Sequence, residues 1–266
     1  MSTTREPRRE GSSPRFGSKV YTFQTIDSTN NCARVLAGCW AEEGTVVIAE
    51  EQTAGKGRLG RTWLATPGEN LTFSIILRPD LPSEEMNLLP LFVAVGIAAA
   101  VESVISMKVQ CKWPNDLLLN GKKFAGVLME GAVSNNAVDF VVVGIGINVN
   151  QTLFPPELAG RATSLRLATG APIDRDTLFR AILLSLETEY DALSASGFHQ
   201  VLPRWLSYAP IVGRQVTIAQ GGSVLHGTVK GISKHGGLIL ETGGEQRVVF
   251  AGDVTILNME PYAARN

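Results

Sequence analysis

"QTAGKGRLGRTW", Gln52 to Trp63, links two strand-like runs, and its reading decides the fold. Gly55, Gly57 and Gly60 spell G-x-G-x-x-G, the dinucleotide fingerprint, while Gly55, Gly60, Arg61 and Thr62 come within one residue of a P-loop. Both motifs have to open directly into a helix, whose N-terminus holds the phosphate. Here Trp63 leads to a Pro67–Gly68 break and then to "NLTFSIILRP", which alternates like a strand. The context is strand, long loop, strand. Both phosphate readings fail on it, and the P-loop lysine is missing as well. What remains is a glycine-rich loop carrying Lys56, Arg58 and Arg61, where small residues let backbone N–H groups approach an anion and the guanidinium groups add charge-assisted hydrogen bonds.

Outward from the loop, "TVVIAE" (45–50) reads as a buried strand and "KVYTFQTI" (19–26) as an alternating one. Between them "DSTNNCARVLAG" offers Asp27, Ser28 or Thr29 as N-cap and Gly38 as a stop, so a short helix is expected. Downstream, "SEEMNLLPLFVAVGIAAAVESVIS" (83–106) reads as one helix, apolar nearly all round and therefore buried. "VQCKWPNDLLL" ends at Asn120–Gly121, a hairpin signal leading into "KFAGVLMEG", and "AVDFVVVGIGINVN" is a third extended piece. Leu178, Phe179, Ile182, Leu183, Leu186, Tyr190 and Leu193 form one helical stripe. From about Gly213 three Gly-Gly pairs punctuate short β-rich runs, which predicts a small barrel of about five strands.

Bulk properties narrow the classes. The chain has 266 residues, 44% apolar and 18% charged, with a formal net charge of -1. That is globular composition, and it gives a general polyanion-binding role no support. The longest apolar run, Leu88 to Val101, falls short of the roughly twenty residues a membrane helix needs. Cys32, Cys39 and Cys111 are odd in number and form no C-x-x-C, which fits reduced thiols in the cytoplasm. His199, His226 and His235 show no metal-ligand spacing. Residues 1–17 are basic and turn-rich without an apolar segment, so a disordered arm is expected there, followed by a catalytic domain over 18–211 and a C-terminal domain over 212–266.

"STN", "QTAGKGRLGRTW", "KWPNDLLL", "KFAGVLME" and "GIGINVN" occur in that order from Ser28 to Asn150. This series resembles the biotin protein ligases, and the resemblance runs from about Val20 to the C-terminus. It implies an α+β fold related to class II aminoacyl-tRNA synthetases, a mixed sheet flanked by helices, with an SH3-like C-terminal β-barrel. It also implies a reaction with ATP and Mg2+ in which biotin becomes biotinyl-5′-AMP, and a lysine of a biotin carboxyl carrier protein domain then displaces AMP. The loop around Arg58 is then the loop that closes over the adenylate.

The same match implies the site residues. Arg58, Lys123 and Asp116 are the catalytic set: two cations on the carboxylate and α-phosphate, and Asp116 as proton acceptor for the carrier lysine. Ser28, Thr29, Asn30 and Gln52 correspond to the pocket for the ureido ring, joined in biotin binding by Gly55, Lys56, Gly57 and Gly126. Arg61, Trp63, Lys112, Asn115, Asp116 and Asn148, together with Arg58, correspond to the nucleotide side, with Mg2+ held mainly by phosphates near Asp116. Lys56 departs from the arginine many relatives carry, and Leu59 replaces a residue that is often polar.

Only about twenty residues precede the match, so no specific DNA binding is expected; a homodimer is compatible with the resemblance, and neither it nor the carrier's identity is fixed by the residues. A lipoate or octanoate ligase or transferase of the same fold is the alternative, and "GKGRLGRTW" and "KWPND" argue against it.

Overall fold

The computed structural model describes residues 14–135 and 137–257. Its first domain is built from β1 (Val20–Ile26), α1 (Thr29–Gly38), β2 (Val46–Gln52), β3 (Leu71–Leu77), α2 (Leu89–Ile105), β4 (Gln110–Lys112), β5 (Asp116–Leu119), β6 (Lys122–Ser134), β7 (Ala137–Ile147), α3 (Leu165–Thr169), α4 (Arg175–Ser196) and α5 (Val201–Tyr208). The strands form one seven-stranded sheet in the order β1-β2-β3-β7-β6-β5-β4. β1 and β2 run parallel and the remaining neighbours antiparallel, which makes the sheet mixed. β8 (Gln215–Gln220), β9 (Ser223–Ile232), β10 (Leu238–Thr242), β11 (Glu245–Val249) and β12 (Asp253–Ile256) make a separate antiparallel sheet, the SH3-like unit, in the order β11-β10-β9-β8-β12.

Side-chain alternation along the central strands divides the molecule. Leu71, Phe73, Ile75 and Leu77 of β3 and Val141, Val143, Ile145 and Ile147 of β7 face the main core, where α2 and α4 pack. The opposite face carries a second, small cluster in which Ala33 and Ala37 of α1 meet Val47, Ile76 and Val142. That face is left open beyond α1, because β7 presents Gly144 and Gly146 there.

Two expectations are corrected. The helix expected over 83–106 is a 3-10 segment, Ser83–Leu88, followed by α2 from Leu89. Pro90 accounts for the break: without an N–H, and with a ring that crowds the carbonyl four residues back, it is tolerated only in a helix's first turn. The whole segment Ser83–Ile105 spans 23 residues, longer than the apolar run counted in the sequence, and 67% of its most apolar window is buried inside the fold.

The arm expected over 1–17 also ends too late. Residues 1–13 lie outside the described residues, but Phe16 is 3% exposed, its ring 5.5 Å from that of Tyr190, and the Arg15 guanidinium donates to Asp191. The hairpin at Asn120–Gly121 forms as read, with both residues at positive φ, 50° and 75°. α5 has no counterpart among the sequence signals.

The two domains meet at the "KWPND" turn between β4 and β5. Trp113 is 2% exposed, and its Nε1 donates to the Gly236 carbonyl at 3.0 Å. Gly236 lies in the β9–β10 turn with φ 83°, and a Cβ there would sit 2.6 Å from the Asn87 carbonyl oxygen. The replacement Trp113→Phe keeps the apolar body and orphans that carbonyl, so it is expected to lower unfolding free energy by about 1–3 kcal/mol in a urea titration.

Candidate active site

The glycine-rich loop hangs from the end of β2 and folds back on itself. Lys56 and Thr62 pair as an isolated antiparallel bridge, the Gly57 N–H donates to the Arg61 carbonyl at 2.7 Å, and the Trp63 N–H to the Gly55 carbonyl at 3.0 Å. A Cβ on Gly55 would lie 2.6 Å from the Trp63 carbonyl oxygen, and one on Gly57 3.2 Å from that of Arg61. The first two glycines thus let the two arms of the loop close against each other, and no helix succeeds them. The tip is a 3-10 turn, Arg58–Gly60, with Leu59 and Gly60 both at positive φ.

Behind the loop lies a cleft of about 410 Å³ on the open face of the sheet. Its floor is β6 and β7, where Gly126 pairs with Gly146. Trp63 lies flat on this floor: a Cβ on Gly146 would meet its Cε2 at 2.3 Å, and one on Gly126 its Cζ3 at 3.4 Å. The indole Nε1 is buried and has no hydrogen-bond partner among the described residues.

At one end of the cleft the first turn of α1 brings Ser28, Thr29 and Asn30 together, all at most 3% exposed. The Thr29 N–H and hydroxyl lie 2.8 and 3.0 Å from Gln52 Oε1. Helix N-termini leave N–H groups unsatisfied, and Gln52 takes one of them. Ser74 Oγ stands 2.8 Å from Thr29 Oγ1 and 2.6 Å from Asn30 Oδ1, while Asn30 Nδ2 donates to Glu130 at 2.8 Å. These are rigid, converging polar groups in an otherwise apolar corner, suited to a small ligand with a few hydrogen-bonding atoms.

Cations gather at the other end. Arg58 Nη1 donates to Asn115 Oδ1 at 2.9 Å, and Asn115 is fixed in turn by Nδ2 to the Val127 carbonyl, 2.6 Å. Burial pushes the Arg58 pKa down, opposed by the nearby carboxylates of Asp253 and Asp116, and arginine stays cationic at neutral pH. Lys123 Nζ is 2.6 Å from Asp116 Oδ1 and 5.7 Å from the Trp63 ring centroid. Its backbone is clamped by 161–163, with the Lys123 N–H donating to the Arg161 carbonyl at 2.8 Å. Lys112 lines the cleft, and its ammonium makes no ion pair or hydrogen bond among the described residues. Asn148 donates through Nδ2 to the Thr163 carbonyl at 3.1 Å, and its buried Oδ1 has no partner there.

Every site residue named from the sequence except Gly55 borders this one cleft, and Gly55 shapes the loop above it. Two features differ from the simple reading. Asp116 and Lys123 form one ion pair and are not two independent groups. The loop cations are also already engaged with protein: Lys56 Nζ donates to Asn31 Oδ1 at 2.6 Å and lies 3.6 Å from Glu130 Oε1, and Arg61 Nη2 reaches Asp253 at 2.7 Å.

Sequence reasoning misses Ser74, Glu130, Arg161 and Asp253. Ser74 carries a signal, as a hydroxyl set between Phe73 and Ile75 in the apolar run "LTFSIIL"; Asp253 carries none, being 192 residues from its partner. Among the described residues no three His, Cys, Asp or Glu side chains cluster as a metal cage.

The chain is similar to known proteins over most of its length. Residues 22–148 match the biotin/lipoate A/B protein ligase family, and residues 211–257 match the biotin protein ligase C terminal domain. The chain is 37% identical over 243 residues to the bifunctional ligase/repressor BirA of Bacillus spizizenii, covering 91% of this chain and 75% of that protein. It is 35% identical over 237 residues to the biotin–[acetyl-CoA-carboxylase] ligase of Mycobacterium tuberculosis, covering 86% of each. Among solved structures it resembles the biotin protein ligase from Aquifex aeolicus in complex with biotin and ATP, at a TM-score of 0.77 and 30% identity, over 91% of this chain and 100% of that one.

A Cβ at Gly144 would fall 2.2 Å from the buried Asn30 Oδ1, so any side chain there has to displace Asn30. Gly144→Ala is expected to break the Ser74–Asn30–Glu130 chain and cost about 1–3 kcal/mol of stability, read by chemical denaturation.

Proposed function

Because the chain belongs to the biotin protein ligases, we infer that it joins biotin and ATP into biotinyl-5′-AMP and passes the biotinyl group to a lysine of a biotin carboxyl carrier domain. One observation carries the assignment to residues. A tight polar corner (Thr29, Asn30 and Gln52) and a cluster of cations (Arg58, Lys112 and Lys123) face each other across a single cleft under the glycine-rich loop.

The carboxylate of biotin is ionised near neutral pH, so the first step needs no general base. Its obstacle is the approach of two anions and the charge that builds on the α-phosphate. Arg58 and Lys123 supply positive charge at that meeting point. Asn115 aims Arg58, and Asp116 holds the Lys123 ammonium in place until substrate enters. The polar corner binds the ureido ring, and Gly126, on the floor of the same cleft, leaves room for Lys123 Nζ and the Trp63 ring to lie over it. Lys56 joins this end of the loop to α1 and β6.

On the nucleotide side, Arg61 and Lys112 face phosphate, Trp63 covers the adenylate, and the free Oδ1 of Asn148 accepts a hydrogen bond from the nucleotide. Magnesium would come as part of the nucleotide substrate and would offset the charge of its phosphates, with Asp116 the cleft carboxylate that would face it. In the second step the carrier lysine attacks the acyl carbon, the bond to AMP breaks, and Asp116 takes the proton through its second carboxylate oxygen.

The test is exchange of labelled pyrophosphate into ATP. Wild type is expected to exchange with biotin and magnesium, and not with lipoate. Arg58→Ala and Lys123→Ala are each expected to slow exchange about 100-fold or more, the size of losing one preorganised donor to a developing oxyanion. Exchange driven by lipoate in place of biotin would overturn the substrate assignment.

A further inference from the structure

Asp253 stands at the first residue of β12, in the C-terminal domain, yet its carboxylate borders the cleft of the first domain. Arg61 Nη2 donates to both of its oxygens at 2.7 Å. Resting on the ligase reading above, we propose that Asp253 is the loop's resident anion: in the substrate-free enzyme it holds Arg61, and nucleotide phosphate has to displace it.

Three observations carry this. First, the two other loop cations touch the first domain only, Arg58 through Asn115 and Lys56 through Asn31 and Glu130. Arg61 is thus the loop's tie to the C-terminal domain, across 192 residues of chain.

Second, the contact is built to be released. One nitrogen serves both oxygens, in place of the two parallel bonds of a full fork, and Nη1 makes no hydrogen bond among the described residues. The side chains are 59% and 44% exposed, so water screens the pair and keeps it in the range of weak surface bridges. A triphosphate brings more charge and more acceptor oxygens than one carboxylate, and therefore outcompetes it.

Third, the Asp253 carboxylate has no other hydrogen-bond or ion-pair partner among the described residues. Its carboxylate also acts on Arg58, countering the larger effect of burial on that guanidinium. Once Arg61 turns to phosphate, the carboxylate is left without its cation and competes to draw Arg61 back. Apparent nucleotide affinity is thereby reduced by the fraction of enzyme in the latched state.

Asp253→Asn preserves shape and removes the charge. It is expected to lower the KM for ATP in biotin-dependent exchange roughly two- to five-fold, the range of weak exposed pairs. In an Arg61→Ala background the same change is expected to do nothing. Without substrates, trypsin is expected to cut the loop at Lys56 and Arg58 faster in Asp253→Asn than in wild type.

An unchanged or raised KM overturns the proposal. So does a fall in KM that persists without Arg61, since the carboxylate would then act by general repulsion, and so does an unchanged cleavage rate. Proteolysis needs no substrate. Absence of exchange in wild type would therefore count against the ligase reading and leave the latch to be judged by cleavage alone.

Discussion

Val141, Val143, Ile145 and Ile147 anchor β7 in the main core, and on the reverse face of the same strand Gly144 and Gly146 leave the gap that Asn30 and Trp63 occupy. The site depends on that asymmetry. The main core covers one face of β7 along its length, and the other face is covered only up to Val142, where α1 ends its contact. Beyond it the missing side chains open the sheet itself as a floor. Because the backbone of β7 is held by ladders to β3 and β6 on either side, the floor is rigid, and groups resting on it inherit its position.

The second constraint is electrostatic. Arg58, Arg61, Lys56, Lys112 and Lys123 are gathered around one cleft in a chain whose net charge is only -1. Like charges so close repel, and burial adds a desolvation cost to each. Four of the five are met by an oxygen from the protein: Asn115, Asp253, Asn31 and Asp116. The oxygens that meet the three loop cations come from α1, the turn before β5 and β12, so the loop is tied to three parts of the fold while its tip carries Leu59 at positive φ.

How much of this is legible in the sequence depends on the range of the interaction. Periodicity and punctuation, which are local, mark the central strands, the Asn120–Gly121 hairpin and the stripe of α4. Pro90 is visible too, yet hydrophobicity all round outweighs its missing N–H, and the segment reads as one helix. Phe16 disappears into a polar arm, since nothing local reveals that an aromatic pocket lined by Tyr190 waits for it. The strand after the glycine-rich loop separates that loop from a nucleotide-binding turn. The ion pair of Asp116 with Lys123 and the reach of Arg61 to another domain are contacts between distant positions, and no spacing rule contains them.

Gly126, Gly144 and Gly146 have a consequence for how such a site can vary over time. Most positions in a protein can be explored by degrees, a methyl group added or removed, with neighbours adjusting. Here the smallest alternative residue already brings a carbon within 2.2 Å of Asn30 at Gly144 and 2.3 Å of Trp63 at Gly146. A residue other than glycine at those two places has first to displace the group that rests there. Change in ligand preference on this scaffold is therefore easier at the rim and the loop, whose side chains can be exchanged one at a time while the floor stays as it is.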